Sequence, residues 1–457
     1  MLKNLYSRSR QLFHQFFENE LIRRVVKNTA YLFSATGISA VLSMLQGILV
    51  ARMLGVTAFG VLGTIIMFTT VVNKFASFRM NELVVKYVGQ YTENDEPERA
   101  AAVYKVASLV EILASVFAFI LVRLLASLAA LYLAKDPATI NWFLVYSWII
   151  LANLIAESST GLLQIFNRFR FMAVLNIVQS LITFSIILVV YITQSDVMGV
   201  LVAYMVGKVI GAVGLSARAL VEATRRWDWG WWRTPISLLH EKYRELTRFA
   251  ISTYISATLS LVTKDSELLW VSFLRNPTES GYYKLALALA NLAQMPVAPM
   301  PQATYPELSR EVARKNWSNV RYVLRQGSIL AGSYTLFVSL VLVFLGPPII
   351  LYIYAPEYLP AYPALLILLA GYFVANTFYW NRVALLAIGL PDFPAKVNLV
   401  LAVLKITGIF LLVPIYGYLA SAALLAGSYI VGVSVSVIKF FSEVSRQERD
   451  MAGGPPR

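Results

Sequence analysis

The sequence predicts an all-α, polytopic membrane protein with twelve transmembrane helices in two parallel-related six-helix lobes around a central cavity. The first observation is composition: the 457 residues are 58% hydrophobic and only 14% charged, whereas soluble domains carry about a quarter charged residues. The second is that apolar stretches of about 18 residues or more, enough to cross a bilayer as a helix, recur along the whole chain. The third is that basic residues alternate between the connections, while short motifs repeat at a fixed distance.

Twelve apolar segments are long enough to cross the membrane as helices. The first is followed by Arg52 and another apolar helix and has no small-residue cleavage site, so we expect a retained anchor and not a signal peptide. In chain order the segments are 28–50, 60–82, 106–133, 140–164, 172–193, 197–220, 249–273, 283–304, 326–346, 363–389, 397–414 and 418–440.

The connections between these segments differ in basic content according to their side of the membrane. Those on the side of the N-terminus hold 26 lysines and arginines, and those on the other side hold 3. This positive-inside pattern places both termini in the cytoplasm of a multi-pass protein of the cell membrane. It also explains the net charge of +14 by topology and by attraction to anionic membrane lipids, so no nucleic-acid partner is expected. The absence of cysteine excludes disulfides and thiolate metal sites.

A shift of 221 residues matches features of the two halves of the chain. Thr57-Ala-Phe-Gly60 falls on Thr278-Glu-Ser-Gly281, and with one further residue FMAVLN falls on FPAKVN. Because six is an even number of helices, both halves enter from the cytoplasm and are related by an axis along the membrane normal. The expected organisation is a cytoplasmic amphipathic segment 1–27, an N-lobe 28–220, a cytoplasmic interlobe connection 221–248, a C-lobe 249–440 and a cytoplasmic tail 441–457.

Two cytoplasmic segments have the composition of membrane-surface anchors. Residues 5–27 combine leucine and phenylalanine with basic residues, which is typical of an amphipathic helix lying on the membrane. The stretch WDWGWW, at 227–232, predicts an interfacial aromatic anchor, and SLLHEKYREL after it predicts another amphipathic helix.

Ionisable residues within the apolar segments predict an internal cavity. If each faced lipid, their combined cost would approach roughly 30 kcal/mol, so most must face protein or water. Six are basic and four acidic, which leaves a positive excess and predicts a water-filled cavity with a cationic lining. They are Lys74, Glu111, Arg123, Glu157, Lys208, Lys264, Asp265, Glu267, Arg382 and Lys405.

The stretch KDSELLWV, which begins at Lys264, concentrates three of these charges. Lys264 and Glu267 lie three residues apart on a helix, so they either pair structurally or share a cavity face. Asp265 points about 100° away and needs another partner. The shift of 221 matches Glu267 with Gln46, which predicts polar residues at the same depth in both halves.

The remaining basic residues are placed by depth. Arg52, Arg79 and Lys284 lie near an interface and could reach it individually with their side chains, whereas Lys74 and Arg382 lie deeper. The midplane residues Arg123, Lys208 and Lys405 are expected to pair with Glu111 or Glu157.

Four motifs in this order resemble a known family over nearly the whole chain. They are VARMLGVTAFGVLGT from Val50, DSELLWVSFLRNPTESGYYKLALAL from Asp265, YPELSR with basic residues after it, and LLAIGLPDFPAKVNLV from Leu385. Together they are similar to the multidrug, oligosaccharidyl-lipid and polysaccharide (MOP) exporter superfamily, and most to its polysaccharide-biosynthesis branch, the O-antigen-type flippases. Glu267 departs from the less acidic run that is usual there.

The resemblance implies that Arg52 and Asp265 take the family's Arg and Asp positions and that helices 1, 2, 7 and 8 line a central cavity. With the depth argument, it gives two sets of expected site residues. The cationic substrate-binding lining is Arg52, Lys74, Arg79, Lys264, Lys284 and Arg382, and the polar or ion-coupling candidates are Gln46, Asp265, Glu267 and Glu157.

The expected function is that of a flippase, not an enzyme, which moves a polyprenyl-pyrophosphate-linked oligosaccharide from the cytoplasmic to the outer leaflet by alternating access of the two lobes. Polysaccharide polymerase and export machinery are candidate partners. A cation-coupled multidrug exporter of the same superfamily is the alternative. No cofactor is expected, since no G-x-x-x-x-G-K-[ST] run is present. Coupling to H+ or Na+ through Asp265, Glu157 or Glu111 is left open.

A membrane enzyme fits the sequence less well. A membrane polymerase or ligase should have a sizeable extracytoplasmic loop, yet the longest outer connection is 347–362. His14 and His240 have no metal-ligand spacing and lie in cytoplasmic interfacial segments, so neither predicts a metal site.

Overall fold

The computed structural model of the protein describes residues 20–261, 266–390 and 392–452, and every regular element among them is helical. The first ten α-helices are α1 Glu20–Ala76, α2 Met80–Leu83, α3 Gly89–Glu93, α4 Pro97–Ala129, α5 Ile140–Tyr146, α6 Trp148–Ala152, α7 Ala156–Ile165, α8 Phe169–Ile192, α9 Val197–Trp227 and α10 Tyr243–Ser260. The remaining eight are α11 Glu267–Leu274, α12 Pro277–Gln294, α13 Met300–Ala313, α14 Trp317–Pro348, α15 Ala361–Thr377, α16 Asn381–Ala387, α17 Asp392–Tyr416 and α18 Tyr418–Ala452.

Short helices of other types extend or connect the α-helices. The π-helical segments are Val84–Val88, Ala130–Ala134 and Ile349–Tyr354. The 3-10 helices are Pro137–Thr139, Trp231–Arg233, Ile236–Lys242 and Pro356–Tyr358. The prediction of an all-α protein is confirmed.

Within the described ranges, nine helical segments are long and apolar enough to cross a membrane. One of them, Gly37–Ala76, covers most of the first two predicted spans, 28–50 and 60–82, in a single helix that bends at Gly55. Gly55 has φ 73° and ψ 172°, a conformation that residues with a Cβ rarely adopt. The predicted spans 249–273 and 283–304 are not among the nine. The chain is therefore a multi-pass membrane protein, and the number twelve stays a prediction.

Several of the predicted spans are not continuous helices, and the breaks in two of them bear on the sites described below. The segment 140–164 is divided into α5, α6 and α7, and the segment 363–389 is divided into α15 and α16. Hydropathy does not register these interruptions because the residues around the breaks are as apolar as the helices themselves. The break before α7 creates a helix N-terminus inside the membrane-spanning part of the chain. The first backbone N–H groups of α7 therefore need hydrogen-bond acceptors from elsewhere.

The contacts divide the chain into two compact units. The first comprises Met1–Val50, Val72–Leu124 and Trp142–Ala257, and the second comprises Ala51–Val71, Leu125–Asn141 and Thr258–Arg457. Short stretches of the N-terminal half thus belong to the second unit. The division into lobes 28–220 and 249–440 stays a prediction.

The first unit has a core rich in tyrosine and leucine at its predicted cytoplasmic end. Trp227 and Trp231 pack there against Tyr104, with ring centroids 5.9 and 5.4 Å apart. Trp229 and Trp232 are exposed, with relative accessibilities of 83% and 53%. Trp227 and Trp231 therefore pack against the core, and only the exposed Trp229 and Trp232 fit the predicted interfacial anchor.

The predicted amphipathic helices are described only in part. Residues 1–19 lie outside the described residues, and Glu20 already belongs to α1. The second of these helices is a wrong prediction in its first half, because Ile236–Lys242 forms a 3-10 helix after Pro235 and α10 begins only at Tyr243.

The second unit contains a close contact between the repeat-matched motifs. A Cβ on Gly60 would lie 1.8 Å from the Pro277 carbonyl oxygen, and a Cβ on Gly281 would lie 2.3 Å from the Val56 carbonyl oxygen. Thr57 and Thr278 share a hydrogen bond of 2.8 Å between their hydroxyls. The contact of Gly60 with Pro277 and that of Gly281 with Val56 are therefore equivalent under the shift of 221, as in a two-fold arrangement. The contact supports the register of 221 at this place.

Candidate functional site

The second unit contains a cavity of about 660 Å³. Segments 294–305, 375–386, 394–405 and 428–436 form its wall. Its polar lining consists of amides, hydroxyls and two cations, and no carboxylate is among the lining residues in the described part of the chain. These polar residues are Gln294, Tyr305, Asn376, Tyr379, Asn381, Arg382, Asn398, Lys405, Ser428, Tyr429 and Ser436.

The break between α15 and α16 positions the cation Arg382 in this wall. α15 ends at Thr377, and Asn381 caps the turn by donating from its side-chain amide to the Phe378 carbonyl over 2.8 Å. Trp380 anchors the turn because it is fully buried and donates from its indole N–H to the Ser328 hydroxyl over 2.7 Å. Arg382 follows directly in α16, exposed to the cavity.

The opposite wall is a helical stripe on α17. Pro394, Asn398, Leu401 and Lys405 line the cavity and are spaced by four, three and four residues, as one face of a helix requires. Lys405 is buried and forms an ion pair with Glu267 at the start of α11.

The predicted pairing of Lys405 with Glu111 or Glu157 is therefore wrong. The physical reason is the fold: α17 packs against α11 within the second unit, whereas Glu111 and Glu157 belong to the first unit. Lys264 and Asp265 lie outside the described residues. The pairing or cavity role of Lys264 and the ion-coupling role of Asp265 stay predictions.

Arg382 differs from Lys405 in its electrostatic environment. Among the described residues no carboxylate lies within ion-pair distance of the Arg382 guanidinium, whereas the Lys405 ammonium is opposed by Glu267. The cavity therefore has a net positive wall, and its uncompensated charge is a planar group with several N–H donors.

Arg52 and Lys284 make contacts within the second unit and do not line this cavity. Arg52 donates to the backbone carbonyls of Tyr354 and Tyr352 over 3.1 and 3.0 Å, which satisfies groups at the end of a helical segment. Lys284 donates to the Phe59 carbonyl over 3.1 Å, and its ammonium lies 3.7 Å from the centre of the Phe59 ring. Both side chains tie α1 to its neighbours, and a substrate role for them stays a prediction.

Three further predicted site residues lie in the first unit. Gln46 is buried and donates to the Ser180 carbonyl over 3.0 Å. Lys74 is exposed in the last turn of α1. Arg79 has left-handed backbone angles, φ 56° and ψ 49°, and pairs with the exposed Glu82 at 3.2 Å. The structure gives Gln46 and Arg79 protein partners, and neither is among the residues that line the cavity described above.

Glu111 and Glu157 belong to a buried polar cluster at the start of α7. The Glu111 carboxylate accepts from the backbone N–H of Glu157 at 2.7 Å, from that of Ser158 at 2.9 Å and from the Ser158 hydroxyl at 2.6 Å. The Glu157 carboxylate accepts from Ser77 at 3.0 Å. The sequence predicted a basic side chain as the partner of Glu111. The structure instead places the Glu111 carboxylate at the N-terminus of α7, whose backbone N–H groups favour a negative charge.

Most of the cavity lining was not anticipated from the sequence. Attention to charge identified Arg382 but not the uncharged Asn398, Ser428 or Tyr429. A search for stripes of amides and hydroxyls at helical spacing in the C-terminal spans would have found them.

Comparisons with known proteins are consistent with this architecture. A family model described as polysaccharide biosynthesis protein matches residues 25–312. Inner membrane protein YghQ of Escherichia coli (strain K12) is 22% identical over 361 residues, which cover 76% of this chain and 97% of that protein.

Two solved structures have similar folds. An inward-facing multidrug resistance MATE family transporter of the MOP superfamily has a TM-score of 0.73 at 12% identity, covering 90% of this chain and 96% of that chain. The lipid II flippase MurJ, in an inward closed conformation, has a TM-score of 0.68 at 16% identity, covering 91% and 90%.

Proposed function

Because the chain belongs to the polysaccharide biosynthesis protein family, within the MOP superfamily of transporters, we propose that it is a flippase for a polyprenyl-pyrophosphate-linked oligosaccharide. The substrate would move from the cytoplasmic to the outer leaflet by alternating access, for assembly of a surface polysaccharide. The likeness to an inner membrane protein supports location in the inner membrane. The positive-inside pattern supports the proposal that both termini lie in the cytoplasm. Polymerase and export machinery are proposed partners downstream.

The observation that carries this proposal is the composition of the cavity in the second unit. Its side-chain amides and hydroxyls both donate and accept hydrogen bonds, as the hydroxyls of a sugar require. Arg382 adds a guanidinium whose parallel N–H groups suit a phosphate oxygen pair. A neutral polar wall with one uncompensated cation thus matches a sugar linked to an anionic group.

The ion pair of Lys405 and Glu267 makes a cationic ligand the poorer fit. A cation exporter should present a free carboxylate to its ligand, because a cationic ligand that leaves water needs an opposite charge to compensate its burial. The described lining includes no carboxylate, and Glu267 is already opposed by Lys405. The multidrug exporter, which the MATE-like fold alone would allow, is therefore the second candidate.

The energy source is proposed to be an H+ or Na+ gradient. Buried carboxylates are the groups that could bind either ion, and the described part of the chain offers Glu111 and Glu157 in the first unit. A gradient imposed on reconstituted vesicles, with transport measured in both polarities, tests this coupling.

The experiment for the main proposal is a flipping assay in proteoliposomes. Fluorescently labelled polyprenyl-pyrophosphate oligosaccharide is incorporated, and its translocation is compared with uptake of a cationic dye. We expect oligosaccharide flipping and no dye uptake, and uptake of the dye alone would support the second candidate.

Arg382→Ala should lower the rate of this flipping about tenfold or more, because a charge-assisted hydrogen bond contributes roughly 1.5–3 kcal/mol. Arg446→Ala is the matched control, since its side chain is 69% exposed outside the cavity. An unchanged rate in folded Arg382→Ala protein would remove the charge argument.

A further inference from the structure

A second recess lies on the lipid-facing side of the second unit, where α14 passes α15 and α18. It has a volume of about 780 Å³ and is lined mainly by apolar side chains, with two arginines at one end. We refer to it as the α14 groove and define it by Arg321, Arg325, Ile329, Leu336, Phe373 and Phe441. In the most apolar part of the membrane span that contains α14, only 17% is buried inside the protein. Most of the surface of this span is therefore available to lipid.

The α14 groove has the depth of one membrane leaflet. Arg325, Ile329, Gly332 and Leu336 follow one face of α14 at intervals of four, three and four residues. At 1.5 Å per residue, the distance along the helix from Arg325 to Leu336 is about 16 Å, close to half of a hydrocarbon core of roughly 30 Å. A chain lying along this stripe would therefore extend from the membrane interface to about the midplane.

Gly332 lies on the floor of the groove, where α14 approaches Thr377 of α15 closely. A Cβ at this position would lie 3.1 Å from the Thr377 hydroxyl oxygen, which is tight for a non-bonded contact. Ile329 and Leu336 on either side are 51% and 48% exposed. The groove therefore presents exposed aliphatic side chains to an apolar chain.

The arginines at the end of the groove differ in their partners. Both terminal nitrogens of Arg321 donate to the Glu448 carboxylate of α18, one of them over 3.1 Å. No carboxylate among the described residues pairs with Arg325, which is exposed. Arg325 lies in the first third of α14, at the end of the basic stretch 305–325. The positive-inside pattern places this stretch in the cytoplasm, where headgroups of anionic lipids concentrate.

We propose that the α14 groove binds one anionic diacyl phospholipid of the cytoplasmic leaflet, with its phosphate on Arg325 and an acyl chain along Ile329 and Leu336. The chain length and the position of the charge both match this ligand. The lipid-linked oligosaccharide fits less well, because the groove has only the hydroxyls of Ser328, Ser333 and Thr377 for a sugar. It is also separate from the cavity, which uses other residues of α15.

Native mass spectrometry of the full chain, released from nanodiscs, measures this binding. The discs contain phosphatidylglycerol, phosphatidylcholine or phosphatidylcholine with polyprenyl phosphate. We expect retention of phosphatidylglycerol at one copy, several-fold above phosphatidylcholine. Arg325→Ala should weaken it about tenfold through loss of the charged contact, and Ile329→Trp should weaken it by filling the groove without a change in charge.

The control is Arg314→Ala, because Arg314 lies on the same predicted side, is exposed and pairs with Glu311 at 3.3 Å outside the groove. Its lipid retention should equal that of the unchanged protein. Equal retention of the two phospholipids, full retention in folded Arg325→Ala and Ile329→Trp proteins, or preferential retention of polyprenyl phosphate would each overturn the proposal. Gel filtration and oligosaccharide flipping establish that both variants are folded.

Discussion

Lys405 and Glu267 form an ion pair in which both side chains are almost completely buried. Removing such charges from water costs several kcal/mol, so each depends on the other for compensation. The same geometry neutralises one side of the cavity and leaves Arg382 as its exposed cation. At the scale of single residues, charge balance therefore underlies the proposal of an anionic ligand for this cavity.

This dependence predicts a strong coupling between the two positions. Glu267→Gln and Lys405→Met should each lower the free energy of unfolding by about 3 kcal/mol, since each leaves a buried charge without this partner. The double variant should lose clearly less than the sum of the two. Chemical denaturation of the purified protein in detergent measures all three.

The pair Arg79 and Glu82 is the control for that cycle, because its side chains are 46% and 47% exposed. An exposed pair contributes less than about 1 kcal/mol. Additive losses at Glu267 and Lys405, as small as those at the exposed pair, would contradict the account of the buried ion pair.

The sequence predicted that charged residues in apolar spans need a protein or water environment, but it did not predict their partners. A charge in an apolar span implies a protein or water environment, and Arg382 does line a cavity. The partner of Lys405 depends on which helices pack together, and Glu267 lies 138 residues away along the chain. Glu111 was harder still, because its partner is the backbone at a helix interruption that hydropathy cannot reveal.

At the scale of elements, the contact between α1 and α12 depends on two glycines. Gly60 and Gly281 each face a backbone carbonyl oxygen of the opposite helix at a distance that leaves no room for a Cβ. Close approach of helices through small residues is a common source of stability in membranes, where dispersion and polar contacts replace the hydrophobic effect.

Gly60→Ala and Gly281→Ala should therefore each lower the free energy of unfolding by about 1–3 kcal/mol through overpacking. Gly47→Ala lies in the same α1 helix, and its Cβ would meet nothing within 4 Å. This control should keep or raise stability, because alanine favours helix over glycine. Thermal unfolding monitored by circular dichroism in detergent compares the three, and equal behaviour would show that the close contact does not matter.

The helices themselves follow from hydropathy, whereas their interruptions do not. The predicted spans 172–193, 197–220 and 397–414 fall on α8, α9 and α17, because apolar length is a direct signal. The separation of α15 from α16 depends on Trp380, whose burial and hydrogen bond to Ser328 are tertiary contacts. That break places Arg382, so the site required information beyond the local sequence.

At the scale of the whole molecule, the distribution of basic residues predicts the topology. The protein has no cysteine, so single cysteines report accessibility directly. Lys135→Cys and Gln194→Cys should react with an impermeant thiol reagent in intact cells, whereas Lys315→Cys and Arg446→Cys should react only after permeabilisation. Reaction of Arg446→Cys from outside would contradict the cytoplasmic assignment of the C-terminus.

Family and fold were recognisable at this scale because the order of loose motifs extends over most of the chain. The match of the polysaccharide biosynthesis family to residues 25–312 and the similarity to MATE and MurJ transporters agree with that prediction. The cavity in the second unit was not predicted as such, since the family resemblance directed the expected lining to helices 1, 2, 7 and 8.

The central claim is that a lipid-linked oligosaccharide occupies the cavity of the second unit. Ser428→Cys places a thiol in its wall on α18, and Ser442→Cys places one on the same helix outside it, as an exposed control. In proteoliposomes, added polyprenyl-pyrophosphate oligosaccharide should slow thiol labelling of Ser428→Cys several-fold and leave Ser442→Cys unchanged. Equal labelling of Ser428→Cys with and without the oligosaccharide would contradict the account.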